Sequence, residues 1–159
     1  MIKVAILTVS DSCAHGKRED VSGQTIREIL PKEKFEINEM KITSDDQKSI
    51  ADELRHYSDK IADIDIVLTT GGTGLGPRDV TPEATASVCE RTVPGLGEIL
   101  RTEGFKRSSY AILSRSMAGI RNSTLIVNLP GSPRAVRECL EIILVILPHA
   151  VEMMRGGGH

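Results

Sequence analysis

Ile66-Val67-Leu68-Thr69-Thr70-Gly71-Gly72-Thr73-Gly74-Leu75-Gly76-Pro77 passes from apolar and β-branched residues straight into four glycines within six positions. The first half predicts a strand over residues 65–70, covered on both faces. The second half predicts a loop whose backbone can take positive φ and approach a ligand closely. Thr81-Pro82 then supplies an N-cap followed by proline at the first helical position, so a helix is expected from there.

The same strand, loop and helix unit recurs on either side. Residues 2–9 are almost continuously apolar and predict a second buried strand. A polar loop over residues 10–21 follows, then Ser22 as N-cap, a helix over 24–30 and Pro31 as its stop. Residues 35–42 alternate weakly and predict a more exposed strand. Ser44 with Gln47 forms a capping box, opening a helix that presents Ile50, Leu54 and Ile61. Towards the C-terminus a helix is expected over 96–105, strands over 110–113 and 124–129, and a terminal helix started by Ser132-Pro133. Pro148 should kink or break that last helix, and Gly156-Gly157-Gly158 cannot continue it, leaving His159 frayed.

This alternation predicts one α/β domain over residues 1–159: a mainly parallel sheet, helices on both faces and right-handed crossovers. In such sheets the loops leaving the strands' carboxyl ends share one edge, where ligands bind. The rule gathers Ser10, Asp11 and Ser12, Asp45, the glycine loop, Ser114-Arg115 and Gly131-Ser132 onto one rim.

Composition narrows the function. The chain of 159 residues carries 20 Lys and Arg against 22 Asp and Glu, a net charge of −2, so a basic nucleic-acid-binding surface is not favoured. Aromatics are 3% with no Trp, leaving few stacking platforms for single-stranded nucleic acid. No apolar run reaches membrane-spanning length, and residues 2–7 lack the layout of a secretory signal. Cys13, Cys89 and Cys139 are odd in number and widely spaced, which fits a reducing cytoplasm and neither a zinc knuckle nor a disulfide framework.

The glycine loop is neither of the two common nucleotide signatures. Gly76 is followed by Pro77, where a phosphate-binding Walker loop requires Lys and Ser or Thr, and Pro77 also occupies the place of the third dinucleotide-fold glycine. Four glycines exceed what a turn needs, and consecutive backbone N–H groups can cradle an anion. Asp79 either favours the positive end of the next helix or serves as a metal ligand or polar anchor. Asp45 and Asp46 are ordinary helix-start carboxylates on local grounds, but they share the rim with Asp79. Gly131-Ser132-Pro133 is a helix start that can also seat a phosphate. Arg115 and Arg121 flank Ala118-Gly119 in an expected loop and lean towards phosphate pairing. His15, His56 and His149 lie far apart in sequence, with no neighbouring Ser or Cys to complete a triad, and nothing marks Cys13 as activated.

Thr69-Thr70-Gly71-Gly72-Thr73-Gly74, continuing to Pro77-Arg78-Asp79-Val80-Thr81-Pro82-Glu83-Ala84-Thr85, resembles the MogA and MoaB family of molybdenum cofactor biosynthesis. Val9-Ser10-Asp11-Ser12, Leu113-Ser114-Arg115, Ala118-Gly119-Ile120-Arg121 and Asn128-Leu129-Pro130-Gly131-Ser132-Pro133 match in order, so the resemblance covers nearly the whole chain. It implies a three-layer α/β/α molybdopterin-binding fold, commonly trimeric. MogA-type members and the similar gephyrin G domain adenylylate molybdopterin with Mg-ATP and release pyrophosphate. By motif, their two important aspartates fall on Asp45 and Asp79, which makes these the expected catalytic and Mg²⁺-holding residues. Ser44 stands where MogA-type chains tend to have proline, and Asp46 is the neighbouring alternative.

The resemblance also implies substrate contacts from Ser10, Asp11, Ser12, Gly71, Gly72, Thr73, Gly74, Arg78, Ser114, Arg115, Gly119, Asn128, Pro130, Gly131 and Ser132. A molybdenum-insertion protein of MoeA type is the implied partner. The alternative within the family is a MoaB-type binding protein or carrier without transferase activity. For the enzyme, the attacking terminal phosphate is a monoester with a second pKa near 6 and is already largely ionised at neutral pH. No general base is required. The task is to align two polyanions and neutralise charge as pyrophosphate leaves, so Asp45 and Asp79 are expected to hold Mg²⁺ and ATP and not to abstract protons.

Overall fold

A computed structural model describes residues 1–59 and 63–157 of the chain. Its centre is a six-stranded sheet in the order β2-β1-β3-β6-β5-β4, built from β1 (Ile2–Val9), β2 (Phe35–Thr43), β3 (Ile66–Thr70), β4 (Arg91–Thr92), β5 (Ala118–Arg121) and β6 (Thr124–Leu129). The first four strands in that order are parallel, whereas β5 runs antiparallel to β6 and β4 antiparallel to β5. The expected mainly parallel sheet is therefore present, with a short antiparallel extension at one edge.

Every residue from Val4 to Val9, and all of β3 and β6, is buried, as their unbroken apolar and β-branched runs require. Side-chain alternation then divides the core in two. Val4 and Ile6 of β1, with Ile66, Leu68, Leu125, Val127 and Leu129, pack under α2 (Val21–Ile29), α5 (Pro94–Phe105), α6 (Pro133–Ile143) and α7 (Leu147–Met154). Ala5, Leu7 and Val9, with Val67 and Ile126, pack under α3 (Gln47–Ser58) and α4 (Thr81–Val88). These are the three layers, α on β on α. Edge strand β2 is half solvated, and its register slips between Val4 and Ala5 of β1, so that Asn38 is passed over. A bulge and flanking charges are usual protection for such an edge.

Several local expectations shift. The loop after β1 contains a short helix, α1 (Asp11–Ala14), capped by Ser10, whose hydroxyl accepts from Cys13 N. Asp20, not Ser22, caps α2, because its carboxylate accepts the Gly23 N–H. Asp46 caps α3 by accepting the Ser49 N–H at 2.9 Å, displacing the expected Ser44 box. Ile61 lies outside the described residues, as do Gly158 and His159.

At α4 the cap position is Val80, with no side-chain cap bond; the Thr81 hydroxyl instead donates to Gly71 O at 2.9 Å. Residues 110–113 are not a strand but lie within a 3₁₀ turn, Ser109–Leu113. Its side chains are mostly solvated, with Tyr110 79% exposed, and no sheet neighbour pairs them. The strand lies further on, at β5, where a loop was expected. Pro148 acts as expected: α6 ends at Ile143, and Pro148 sits in the first turn of α7.

Candidate functional site

Parallel register brings the strand ends level: Val9 pairs with Thr43, Thr8 with Thr70, and Thr70 with Leu129. The loops that leave them meet along one edge, and α2, α4 and α6 all start there, directing their positive ends to the same place. Two adjoining clefts open on this edge.

One cleft, of about 470 Å³, is the more polar of the two and is lined by Ser10, Cys13, Arg18, Asp20, Ser22, Asp45, Gly71, Gly72, Asp79, Gly131 and Ser132 among others. The other, of about 610 Å³, is mainly apolar; Leu75, Leu100, Tyr110, Ala111, Leu113, Cys139 and Ile142 form its walls, with Thr73, Gly74, Ser114 and Pro130 at its polar side. Gly72, Asp79, Gly131 and Ser132 line both clefts and are the junction between them.

The glycine turn is built for close approach. Gly71 at φ +98° and Gly72 at φ +70° take the left-handed conformation, and a side-chain carbon would strike Val9 O at the first and the Thr81 hydroxyl at the second. Gly74 and Gly76 have another reason. A Cβ there would stand 2.9 and 2.8 Å from Asp79 Oδ2, so their bareness makes room for the Asp79 carboxylate. That carboxylate folds back over the turn and accepts the Gly76 N–H at 2.9 Å.

Asp45 and Asp11 exchange hydrogen bonds. Asp11 N donates to Asp45 Oδ2 at 2.9 Å, and Asp45 N donates to Asp11 Oδ1 at 3.0 Å. Arg78 closes on Asp11 with two bonds, Nε to Oδ2 at 2.7 Å and Nη2 to Oδ1 at 3.1 Å. Burial pushes the Asp45 carboxyl above its ordinary value; the charges of Asp11 and Asp79 add to this, and the Asp11 N–H offsets part of it. Asp11 itself is held below the ordinary value, first by the Arg78 hydrogen bond and then by the Asp45 N–H. Asp46 faces away into the α3 cap, where Ser49 lowers its carboxyl. The structure thus separates the two neighbouring aspartates: Asp45 lines the cleft, and Asp46 ends a helix.

Of the residues expected at the rim, Ser10, Asp45, Gly71, Gly72, Thr73, Gly74, Asp79, Ser114, Pro130, Gly131 and Ser132 line one cleft or both. Asp11 and Arg78 stand beside the polar cleft through their bonds to each other and to Asp45. Ser12 is exposed on α1. Three expectations need correction. Asn128 is fully buried beneath the rim, and its amide donates to Thr69 Oγ1 at 3.1 Å and Thr85 Oγ1 at 2.9 Å. Gly119 lies inside β5, where the close pass of Cys89 and the Arg91 carbonyl leaves no room for a side chain. Arg121 sits at the end of β5 paired with Thr124, the start of β6, and is therefore at the opposite edge of the sheet. There it bonds Asp59 at 3.0 Å and Val88 O at 3.1 Å. An antiparallel strand carries its own carboxyl end away from the rim.

Arg115 reaches the rim but is committed. Its backbone N–H donates to Thr73 O, and its guanidinium bonds Gly74 O at 2.9 Å, Asp79 O at 2.6 Å and the Glu83 carboxylate. It struts the glycine turn from below. Ser132 caps α6 by accepting Ala135 N at 3.2 Å, as its sequence context requires.

Sequence reasoning passed over the frame of the polar cleft. Thr8 donates to Asp20 at 2.7 Å, and Ser22 donates to Gly131 O at 2.6 Å, tying α2 to the loop after β6. The spacing of Asp20 and Gly23 is an N-cap signal that could have found the first of these. The apolar walls, drawn from α5, the 3₁₀ turn and α6 with Leu75 of the glycine turn, carried no local signal. Burial raises the Cys139 thiol in this wall to about 12, so it acts as an apolar surface.

No group of three or more His, Cys, Asp or Glu side chains is placed to hold a metal among the described residues. Asp45 and Asp79 both line the polar cleft, and Mg²⁺ is commonly held by one or two carboxylates and completed by substrate phosphates.

A family profile described as a probable molybdopterin binding domain matches residues 5–149. A molybdopterin adenylyltransferase of Helicobacter pylori J99 is 42% identical over 159 residues, covering 98% of this chain and 89% of that protein. Among solved structures, the molybdopterin biosynthesis enzyme MoaB of Thermus thermophilus superposes with a TM-score of 0.92 at 46% identity, covering 98% of both chains. The tungsten cofactor synthesizing protein MoaB of Pyrococcus furiosus superposes with a TM-score of 0.85 at 34% identity, covering 97% of both chains.

Proposed function

The chain belongs to the molybdopterin-binding domain family of molybdenum cofactor biosynthesis, and from that membership we propose that it is a molybdopterin adenylyltransferase. The observation that carries the proposal is the pair of adjoining clefts, one mainly apolar and the other more polar, that share Asp79 and the backbone of Gly72 and Gly131 at their junction. A transfer between two bound molecules requires such a meeting point.

In the proposed reaction an oxygen of the pterin's terminal phosphate attacks the α-phosphorus of ATP. The new P–O bond forms as the α–β bridge breaks, and pyrophosphate leaves with the bond's electron pair. No proton need be removed from the nucleophile. The glycine turn, Ser132 and the converging starts of α2, α4 and α6 offer N–H groups and positive dipole ends to the phosphates. Asp45 and Asp79 would hold Mg²⁺, which supplies neutralisation of the charge developing on the departing pyrophosphate. Asp45 enters this role partly desolvated, and a bound cation would favour its charged form.

The test is incubation with molybdopterin and Mg-ATP, followed by mass spectrometry of the pterin and assay of pyrophosphate. Adenylyl-molybdopterin with stoichiometric pyrophosphate is expected. Pterin binding without pyrophosphate would identify a carrier, and pyrophosphate formed without pterin a different nucleotide reaction. We further propose a homotrimer acting in the cytoplasm and passing its product to a molybdenum-insertion protein. Among the described residues no helix is long and apolar enough to cross a membrane.

A further inference from the structure

We propose that Asp11 is a positioning residue for Asp45, and that Arg78 acts through Asp11 and not on substrate. This inference rests on the transferase reading above and assigns two residues that the family resemblance places among the substrate contacts.

Both Asp11 oxygens are engaged. Oδ1 accepts from Asp45 N at 3.0 Å and Arg78 Nη2 at 3.1 Å, and Oδ2 accepts from Arg78 Nε at 2.7 Å. The carboxylate thereby joins three loops. It belongs to the loop after β1, holds the main chain of the loop after β2 through Asp45, and grips the segment after β3 through Arg78, next to Asp79. The main chain of Asp11 completes the tie by fixing the Asp45 carboxylate itself. The distance between Asp45 and Asp79, which come from different loops, thus depends on Asp11.

Charge supports the same assignment. The negative charges of Asp11 and Asp79 both bear on Asp45. A third bare carboxylate would repel a polyanion, and the paired, planar guanidinium of Arg78 cancels it in a fixed geometry. Lysine could supply the charge but not the two-point fit.

The experiment is a double-mutant cycle of Asp11→Ala and Arg78→Gln in the transfer assay, with kcat and both KM values measured. Misplacement of a reacting group by about 1 Å can cost about a hundredfold in rate. Asp11→Ala is accordingly expected to lower kcat by about tenfold to a hundredfold, with pterin and ATP KM within about twofold. Arg78→Gln should lower kcat by about tenfold. The double variant should fall no more than about threefold below Asp11→Ala alone, because the Arg78 effect passes through Asp11. Arg78→Lys should recover only part of the loss, and Asp11→Asn, which keeps an acceptor for the Asp45 N–H, should lie between Asp11→Ala and the parent chain.

A rise of tenfold or more in ATP KM for Arg78→Gln with kcat intact would overturn the proposal, since Arg78 would then grip nucleotide directly. Multiplicative losses in the double variant would do the same. Hydrogen–deuterium exchange supplies a second measurement independent of turnover: the Asp45 amide should exchange faster in Asp11→Ala and keep its protection in Asp11→Asn. If the parent chain shows no transfer but the exchange pattern holds, the transferase reading fails and the positioning tie stands. Unchanged exchange in Asp11→Ala would remove the tie.

Discussion

At Asp45 burial and the neighbouring negative charges act in one direction, and the result is a carboxyl raised above its ordinary value. A group that binds its proton more tightly in the folded chain favours folding at low pH and opposes it once ionised. The penalty grows as pH rises from the ordinary carboxylate value through the folded one. Asp45→Asn is therefore expected to melt higher than the parent chain at pH 7.5, with the gap shrinking towards about pH 4, while transfer is lost. Melting curves across that range check it; a gap that widens on acidification contradicts it. Asp79 predicts a different separation. Asp79→Asn should abolish turnover and leave pterin binding largely intact, measured by calorimetric titration, because in the proposed reaction its carboxylate serves Mg²⁺ and ATP and not the pterin ring. A large loss of pterin affinity would oppose that division. Asp45 was legible as a rim residue, but choosing it over Asp46 was not. Two adjacent carboxylates before a helix compete for one cap, and only the geometry at Ser49 decides.

At the scale of elements, the two parallel βαβ passages and the buried strands could be read from composition alone, since only doubly covered strands are so continuously apolar. The 3₁₀ turn at Ser109–Leu113 could not. Four mostly apolar residues in a row have no period that separates a strand from a turn of helix, and the partner that would decide is far away in sequence. β5 failed to register for the converse reason: Gly119 marks it locally as a loop, yet the glycine is there to admit Cys89. Asn128 illustrates the cost of such crowding. It joins β6 to β3 and α4 through two threonine hydroxyls, and its Oδ1 has no hydrogen-bond partner among the described residues. Asn128→Ala should lower stability by about 2 kcal/mol through the lost bonds and the cavity, with pterin KM unchanged; denaturant titration and kinetics together test this. Arg115→Ala should cost a similar amount, about 2 kcal/mol, and should also lower kcat, because the strut carries the backbone oxygen of Asp79 itself.

For the molecule as a whole, the gathering of distant loops on one rim followed from a single topological rule, and the polar cleft is its product. The apolar cleft has no such rule behind it: its walls come from four segments that meet only in the folded chain. The proposed trimer predicts sedimentation at three times the 17.3 kDa chain mass; a monomer at micromolar concentration would refute it. Strand order carries one more consequence. β3 lies between β1 and β6, and β6 is the next parallel strand to be made after it, more than fifty residues later. During synthesis on the ribosome, the first half of the polypeptide would emerge with a greasy sheet margin open and unpaired. It cannot complete its centre until Leu129 has cleared the exit tunnel, which makes that interval the period when a nascent chain most needs a chaperone's shelter.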